Sequence, residues 1–164
     1  MEKFSESSAV IRFPDCDPFN HLNNSRYIDY FINAREDHLA KDHQFYIYAY
    51  AKEKKLSWVV SQNQIAYLKP AVLMETVIIQ TGILQMDEKQ ILVEMRMWNK
   101  EKTKLKALLW TRFVHFNFIT QKSEIHSHEL MTKFKPFENS TIPVGSFDAR
   151  VEELSGKSSL SFNN

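Results

Sequence analysis

Asp15-Cys16-Asp17-Pro18-Phe19-Asn20-His21-Leu22-Asn23-Asn24-Ser25-Arg26-Tyr27 is the stretch on which the reading of this chain turns. Before it, residues 8–13 form a short extended run closed by Pro14. After it, Tyr27, Ile28, Phe31, Ile32, Ala34 and Leu39 recur at spacings of three and four, which paints one face of a helix between residues 24 and 42. Asn23, Asn24 or Ser25 can cap the first turn by accepting a bond from an orphan backbone N–H. Carboxylates, an imidazole and side-chain amides thus crowd a strand-to-helix junction. There, free N–H groups, the positive end of a helix dipole and an ionised side chain can converge on one small volume.

Downstream, residues 45–55 run from aromatic to basic and fit either a short second helix or an ordered loop. Four β-like segments follow, at 56–68, 75–86, 90–99 and 104–119. In the third, Leu92, Glu94 and Arg96 alternate with Ile91, Val93, Met95 and Met97, the period of two of a strand. The last is longer than most strands, which predicts a bend. Tight polar turns at Asp87-Glu88 and residues 100–104 make consecutive strands antiparallel neighbours. One amphipathic helix beside about five antiparallel strands predicts an α+β fold with the sheet curved around the helix. In the last segment Leu108, Trp110, Val114 and Phe116 oppose Leu109, Phe113 and Ile119, so both sheet faces are apolar, which implies self-association. Residues 1–137 read as a single domain and 138–164 as an irregular tail rich in Ser, Asn, Gly and Lys.

Composition narrows the function. Lys plus Arg total 21 against 20 Asp plus Glu, a balance that leaves no basic field for a nucleic-acid backbone. The apolar runs are too short to span a bilayer. With 3 glycines, neither a phosphate-cradling loop nor a dinucleotide fingerprint is present. No Gly-x-Ser-x-Gly elbow exists. The one cysteine, Cys16, allows no internal disulfide, and the first residues lack the charged-then-apolar pattern of a secretory signal; both fit a cytoplasmic protein. His126-Ser127-His128 has metal-ligand alternation but no cluster to complete a set, so it reads as a solvated segment.

Asp15-Cys16-Asp17-Pro18, His21-Leu22-Asn23-Asn24 and Tyr27 resemble the signature of hotdog-fold acyl-CoA thioesterases. Within that fold the likeness is to the 4-hydroxybenzoyl-CoA thioesterase family and its broad-specificity acyl-CoA hydrolase relatives. Ala66-Tyr67-Leu68-Lys69-Pro70 is similar to that family's second strand and the turn after it, so the resemblance covers roughly residues 8–118. It implies hydrolysis of an acyl-CoA thioester to a carboxylic acid and CoA, without a metal or redox cofactor, by a homodimer or homotetramer with sites at the subunit interface. It also implies that Asp17 is nucleophile or general base and that the Asn24 N–H holds the thioester oxygen. Three departures stand out. Asn20 replaces a usual Gly before the His, and Phe19 stands where plant acyl-acyl-carrier-protein thioesterases place a catalytic Asn. Met74-Glu75 replaces a frequent Gly-Asp pair.

The chemistry accommodates these roles. Thioester hydrolysis builds negative charge on the carbonyl oxygen and needs a base or nucleophile beneath the carbon; unpaired N–H groups at Asn24 and Ser25 would serve the first need. The same helix end favours Asp17 as a carboxylate. His21 either polarises the carbonyl or fixes the loop through a backbone oxygen. Asp15 reads as a turn former and Tyr27 as core at the edge of the substrate site; Cys16, between two carboxylates, is a poor nucleophile. Ser61, Asn63 and Lys69 are candidates for lining the acyl pocket or meeting a CoA phosphate. A carrier-protein thioesterase and a non-catalytic acyl-binding protein are the rival readings. Retention of Asp17 argues against the second, since a binding pocket has no use for such a carboxylate.

Overall fold

The computed structural model describes residues 1–156. The described residues form six strands and four α-helices: β1 (Ser5–Val10), α1 (Tyr27–His43), α2 (Ile47–Lys54), β2 (Leu56–Tyr67), β3 (Thr76–Met86), β4 (Gln90–Asn99), β5 (Leu105–Asn117), β6 (Lys122–Ser123), α3 (His128–Phe134) and α4 (Phe147–Leu154). The strands are antiparallel in the order β1-β3-β4-β5-β2, with β6 paired to the end of β5. This is the hotdog arrangement, a curled sheet around one long helix.

Alternation decides which residues face α1. Val77 and Ile79 of β3, Val93, Met95 and Met97 of β4, and Ala107 and Leu109 of β5 lose all contact with water, packed with Phe31, Tyr27 and Ala34 of α1. Each such aliphatic side chain contributes about 1.5–3 kcal/mol by leaving water. Register shifts between Val60 and Gln62, Ile83 and Gln85, and Met97 and Trp98 supply the bends expected of long strands.

Differences from the sequence reading are local. β1 starts and ends earlier than residues 8–13, because the Ile11 N–H bonds Glu75 and the Arg12 N–H bonds the Tyr30 hydroxyl, while Phe13–Asp15 forms a 3-10 turn. Residues 45–55 contain a helix. Residues 138–156 are not an irregular tail. Asn139 bonds Lys3 and Ile83, Ile142 is buried, and α4, capped by Ser146, seats Arg150 against Glu94. Residues 157–164 of that reading lie outside the described residues. The outer sheet face is therefore covered within the chain by Phe4, Ile142 and Phe147 over Leu84, Leu92 and Trp110, which removes much of the apolar surface that implied self-association.

In the His126-Ser127-His128 segment, Ser127 and His128 are exposed but His126 is not. His126 is buried, accepts from the Trp58 indole N–H at 2.9 Å and meets the Asp87 carbonyl at 2.8 Å. Its neighbour Ser127 caps α3, whose Leu130 and Phe134 join the main core. No described helix is long and apolar enough to cross a membrane.

Candidate functional site

The loop between β1 and α1 is held by its own backbone. The Asp17 N–H donates to the His21 carbonyl at 2.8 Å and the Asn20 N–H to the Asp17 carbonyl at 3.0 Å, closing a turn around Pro18. Asn20 completes it with φ of 60°, a left-handed conformation that glycine or asparagine adopts most readily. That explains the substitution at this position: Asn is the non-glycine residue best suited to such a φ. Bridges from Cys16 to Leu22 and from His21 to Val72, with the Leu22 N–H on the Ala71 carbonyl, dock the loop on the segment after β2.

Asp17 uses its two oxygens differently. Oδ1 accepts from the N–H groups of Phe19 at 2.9 Å and His21 at 3.1 Å, while Oδ2 has no partner among the described residues. One oxygen thus fixes the carboxylate and the other remains available. Asp15 is structural: its Oδ2 accepts from the Tyr30 hydroxyl at 2.7 Å, tying the loop to α1. Burial, then the neighbouring Asp17 and Asp15 carboxylates, raises the Cys16 thiol above its ordinary pKa and keeps it protonated.

At the helix entrance Asn23 accepts from both the N–H and the hydroxyl of Ser25, so the Ser25 donor is occupied. This corrects the expectation of two free donors. The Asn24 N–H alone bonds no described group, and it opens a 3-10 turn, Asn24–Arg26, that leads into α1.

Asp17, His21, Asn24, Tyr27 and Lys69 border one cavity of about 220 Å³, with Leu22, Tyr67, Leu68 and Pro70. Tyr27 is buried, its hydroxyl accepts from the Ala71 N–H at 3.3 Å, and burial raises its pKa. Tyr67, which sequence reasoning passed over, stacks edge-on against Tyr27 at 5.1 Å and donates its hydroxyl to the Asn24 carbonyl at 3.0 Å. Its place at the end of an aromatic-bearing strand before Lys69-Pro70 was the available signal. The Lys69 ammonium forms no ion pair among the described residues. Ser61 and Asn63 do not reach this cavity. The Ser61 hydroxyl donates to the Arg112 carbonyl and Asn63 accepts from the Thr111 hydroxyl, both on β5.

The turn after β2 carries the third departure, Met74-Glu75. Met74 sits at φ of 65°, where a side chain is strained. Glu75 compensates by accepting from the Val72 N–H and pairing with Lys106 at 2.8 Å.

The Thioesterase-like superfamily model matches residues 11–142, and the chain belongs to that family. It is 26% identical over 130 residues to the long-chain acyl-CoA thioesterase FadM of Escherichia coli (strain K12), an alignment spanning 79% of this chain and 96% of the relative. Its fold is similar to that of SAV2348 of Staphylococcus aureus, solved in complex with CoA, with a TM-score of 0.76 and 14% identity, covering 89% of this chain and 91% of the other. The 1,4-dihydroxy-2-naphthoyl-CoA thioesterase Slr0204 of Synechocystis matches with a TM-score of 0.73 and 13% identity, covering 85% and 99%.

Proposed function

We propose that this chain hydrolyses acyl-CoA thioesters at the cavity bounded by Asp17 and Asn24 and needs no metal or redox cofactor. The observation that carries the reading is the meeting, in one cavity at the entrance to α1, of a half-anchored carboxylate and an unpaired backbone N–H. The thioester oxygen accepts from the Asn24 N–H as it gains charge. The free Oδ2 of Asp17 either attacks the carbonyl carbon, or takes a proton from a water that attacks it; the C–S bond breaks and the CoA thiolate leaves and is protonated. In the first route water then cleaves the acyl–Asp17 anhydride and regenerates the carboxylate, so both routes consume one water and release the carboxylic acid and the thiol. His21 secures the loop through its backbone while its ring borders the cavity. Lys69 stands exposed at the rim, where an ammonium can meet a CoA phosphate.

A second copy of the chain fits beside this site in a cytoplasmic homo-oligomer. Support comes from the unpaired outer edge of β2 with Val59 and Val60 exposed, and from Phe19, Tyr67, Val72 and Met74 exposed around the site. A monomeric mass by light scattering at micromolar concentration would contradict it.

The decisive experiment is hydrolysis of short, long and aromatic acyl-CoA esters by wild type and Asp17→Asn. The variant is expected to lose about 10²–10³ or more in kcat, the scale of removing one reacting group. Wild-type rates in the variant would remove Asp17 from the mechanism, and binding of acyl-CoA without hydrolysis by wild type would favour a binding protein.

A further inference from the structure

Four backbone polar groups belong to the two peptide units that flank the Cα of Asn24, and three of them are held. The Asn23 carbonyl accepts from the Arg26 N–H at 2.8 Å, and the Ser25 N–H donates to the Asn23 side chain at 3.0 Å. The Asn24 carbonyl accepts from the Tyr67 hydroxyl at 3.0 Å. The fourth group, the Asn24 N–H, bonds nothing among the described residues, and Asn24 borders the Asp17 cavity. Because the Asn24 carbonyl and the Ser25 N–H lie in one planar peptide unit, the Tyr67 and Asn23 bonds grip that plane at both ends. The Arg26 bond holds the other plane, the one that carries the Asn24 N–H itself.

Two of these three bonds are made within the turn and move with it. Tyr67 alone of the three partners ties the turn to the sheet. Its own place is firm: it ends β2, paired with Ala107 of β5, and its ring meets Tyr27 edge-on. The next two N–H groups, of Leu68 and Lys69, donate to the Lys106 carbonyl at 2.8 Å and 3.1 Å. The same segment also carries the Asp17 loop, since the Leu22 N–H donates to the Ala71 carbonyl at 2.7 Å and His21 bridges to Val72. Residues 67–72 thus brace the carboxylate loop and the helix entrance together, and both are held against one stretch of backbone.

Granting hydrolysis at this cavity, on which the inference rests, we propose that Tyr67 is a positioning residue whose hydroxyl, by holding the Asn24 carbonyl, aims the Asn24 N–H at the thioester oxygen. A tyrosine hydroxyl has one hydrogen, and here it is committed to that carbonyl, so Tyr67 acts through Asn24 and not by donating to substrate. The role bears on the transition state more than on binding. There the oxygen gains charge, and a donor already aimed at it stabilises that charge without reorganising. Small displacements between reacting groups are enough to slow the step.

The test removes the hydroxyl and keeps the ring. Y67F should hydrolyse acyl-CoA about five- to tenfold more slowly in kcat, the worth of one net hydrogen bond, with KM unchanged. Its affinity for an S-alkyl-CoA thioether of the same chain length, which lacks the carbonyl oxygen, should equal that of wild type. In the ligand-free proteins the Asn24 and Ser25 amide NMR signals should move on this substitution, and the Ser25 amide should exchange its hydrogen faster. Wild-type kcat in Y67F while D17N is inactive, or unmoved Asn24 and Ser25 signals, would overturn the role of Tyr67 and leave the hydrolytic function standing. Thioether binding weakened in step with activity would make Tyr67 a substrate contact and overturn it too. Absence of thioester hydrolysis by wild type would instead sink the hydrolytic function, and this role with it.

Discussion

The two faces of the sheet are buried by opposite means. The inner face meets α1 through apolar side chains, Phe31 among Ile79, Met95 and Leu109. The outer face is closed around one ion, Glu94, fully buried and held by Arg96, by two bonds from Arg150 and by the Trp110 indole. Burial alone would raise the Glu94 pKa, but the Arg150 bonds, the Arg96 charge and the Trp110 bond outweigh it, and the carboxyl is held below its usual range. The inner face is specified by shape and volume, the outer face by the pairing of charges.

The sharpest way to break the comparison is one substitution on each face. Phe31→Ala should cost about 3–5 kcal/mol by leaving a cavity, and Arg150→Met about 3 kcal/mol by leaving the buried Glu94 to Arg96 and the Trp110 indole alone. Replacing Glu94, Arg96 and Arg150 together by Leu, Met and Met should recover most of the second loss, because no charge of the cluster is then left buried without its partner. Urea melts of the four proteins check this; if the triple variant were as unstable as Arg150→Met, pairing would not be what closes the outer face.

Acid should separate the same two regions in order. At the far end of the inner face, His126 stacks on His115 at 4.9 Å and accepts from Trp58, which requires a neutral His126 ring. Burial, opposed by the Asp87 carbonyl and reinforced by His115, lowers the His126 pKa, and burial likewise lowers those of His38 and His43. Because the unfolded chain takes up these protons first, stability is complete above an ordinary histidine pKa of about 6.5 and falls as pH drops below it. The Glu94 contribution persists until pH falls through its depressed value, below the usual carboxylate range. Variants retaining only Trp58 or only Trp110 should report the two events by fluorescence, Trp58 changing at the higher pH. Coincident titrations would mean that the two regions open as one unit.

The smallest effects belong to the site's turns. Met74→Gly should stabilise by about 1 kcal/mol through relief of left-handed strain, whereas Asn20→Gly should change little, since asparagine already accepts that conformation. Thermal melts decide this, and a destabilised Met74→Gly would show that the side chain packs in the assembled protein.

The candidate loop was legible because its bonds are short-range: Asp17 meets Phe19 and His21, Asn23 meets Ser25, and α1 announces itself by spacing alone. The inner strands were legible for a similar reason, alternation. What escaped was the fate of residues whose partners lie far along the chain. Trp58 meets His126, Asn139 meets Lys3, and Arg150 meets Glu94, so three polar residues of segments that read as solvated or irregular are buried.

By itself, then, the sequence determined the order of β1, α1 and the four long strands after it, the faces of α1 and β4, and the crowding of Asp17 and Asn24 into one loop, since each follows from neighbours within a few residues. Only the tertiary structure decided that Tyr67 and Lys69 close that cavity while Ser61 and Asn63 stay on the β2–β5 ladder, and that Phe4, Ile142 and Phe147 cover the outer face. Those outcomes depend on strand register and on which charges packing brings together, and neither is written in local periodicity.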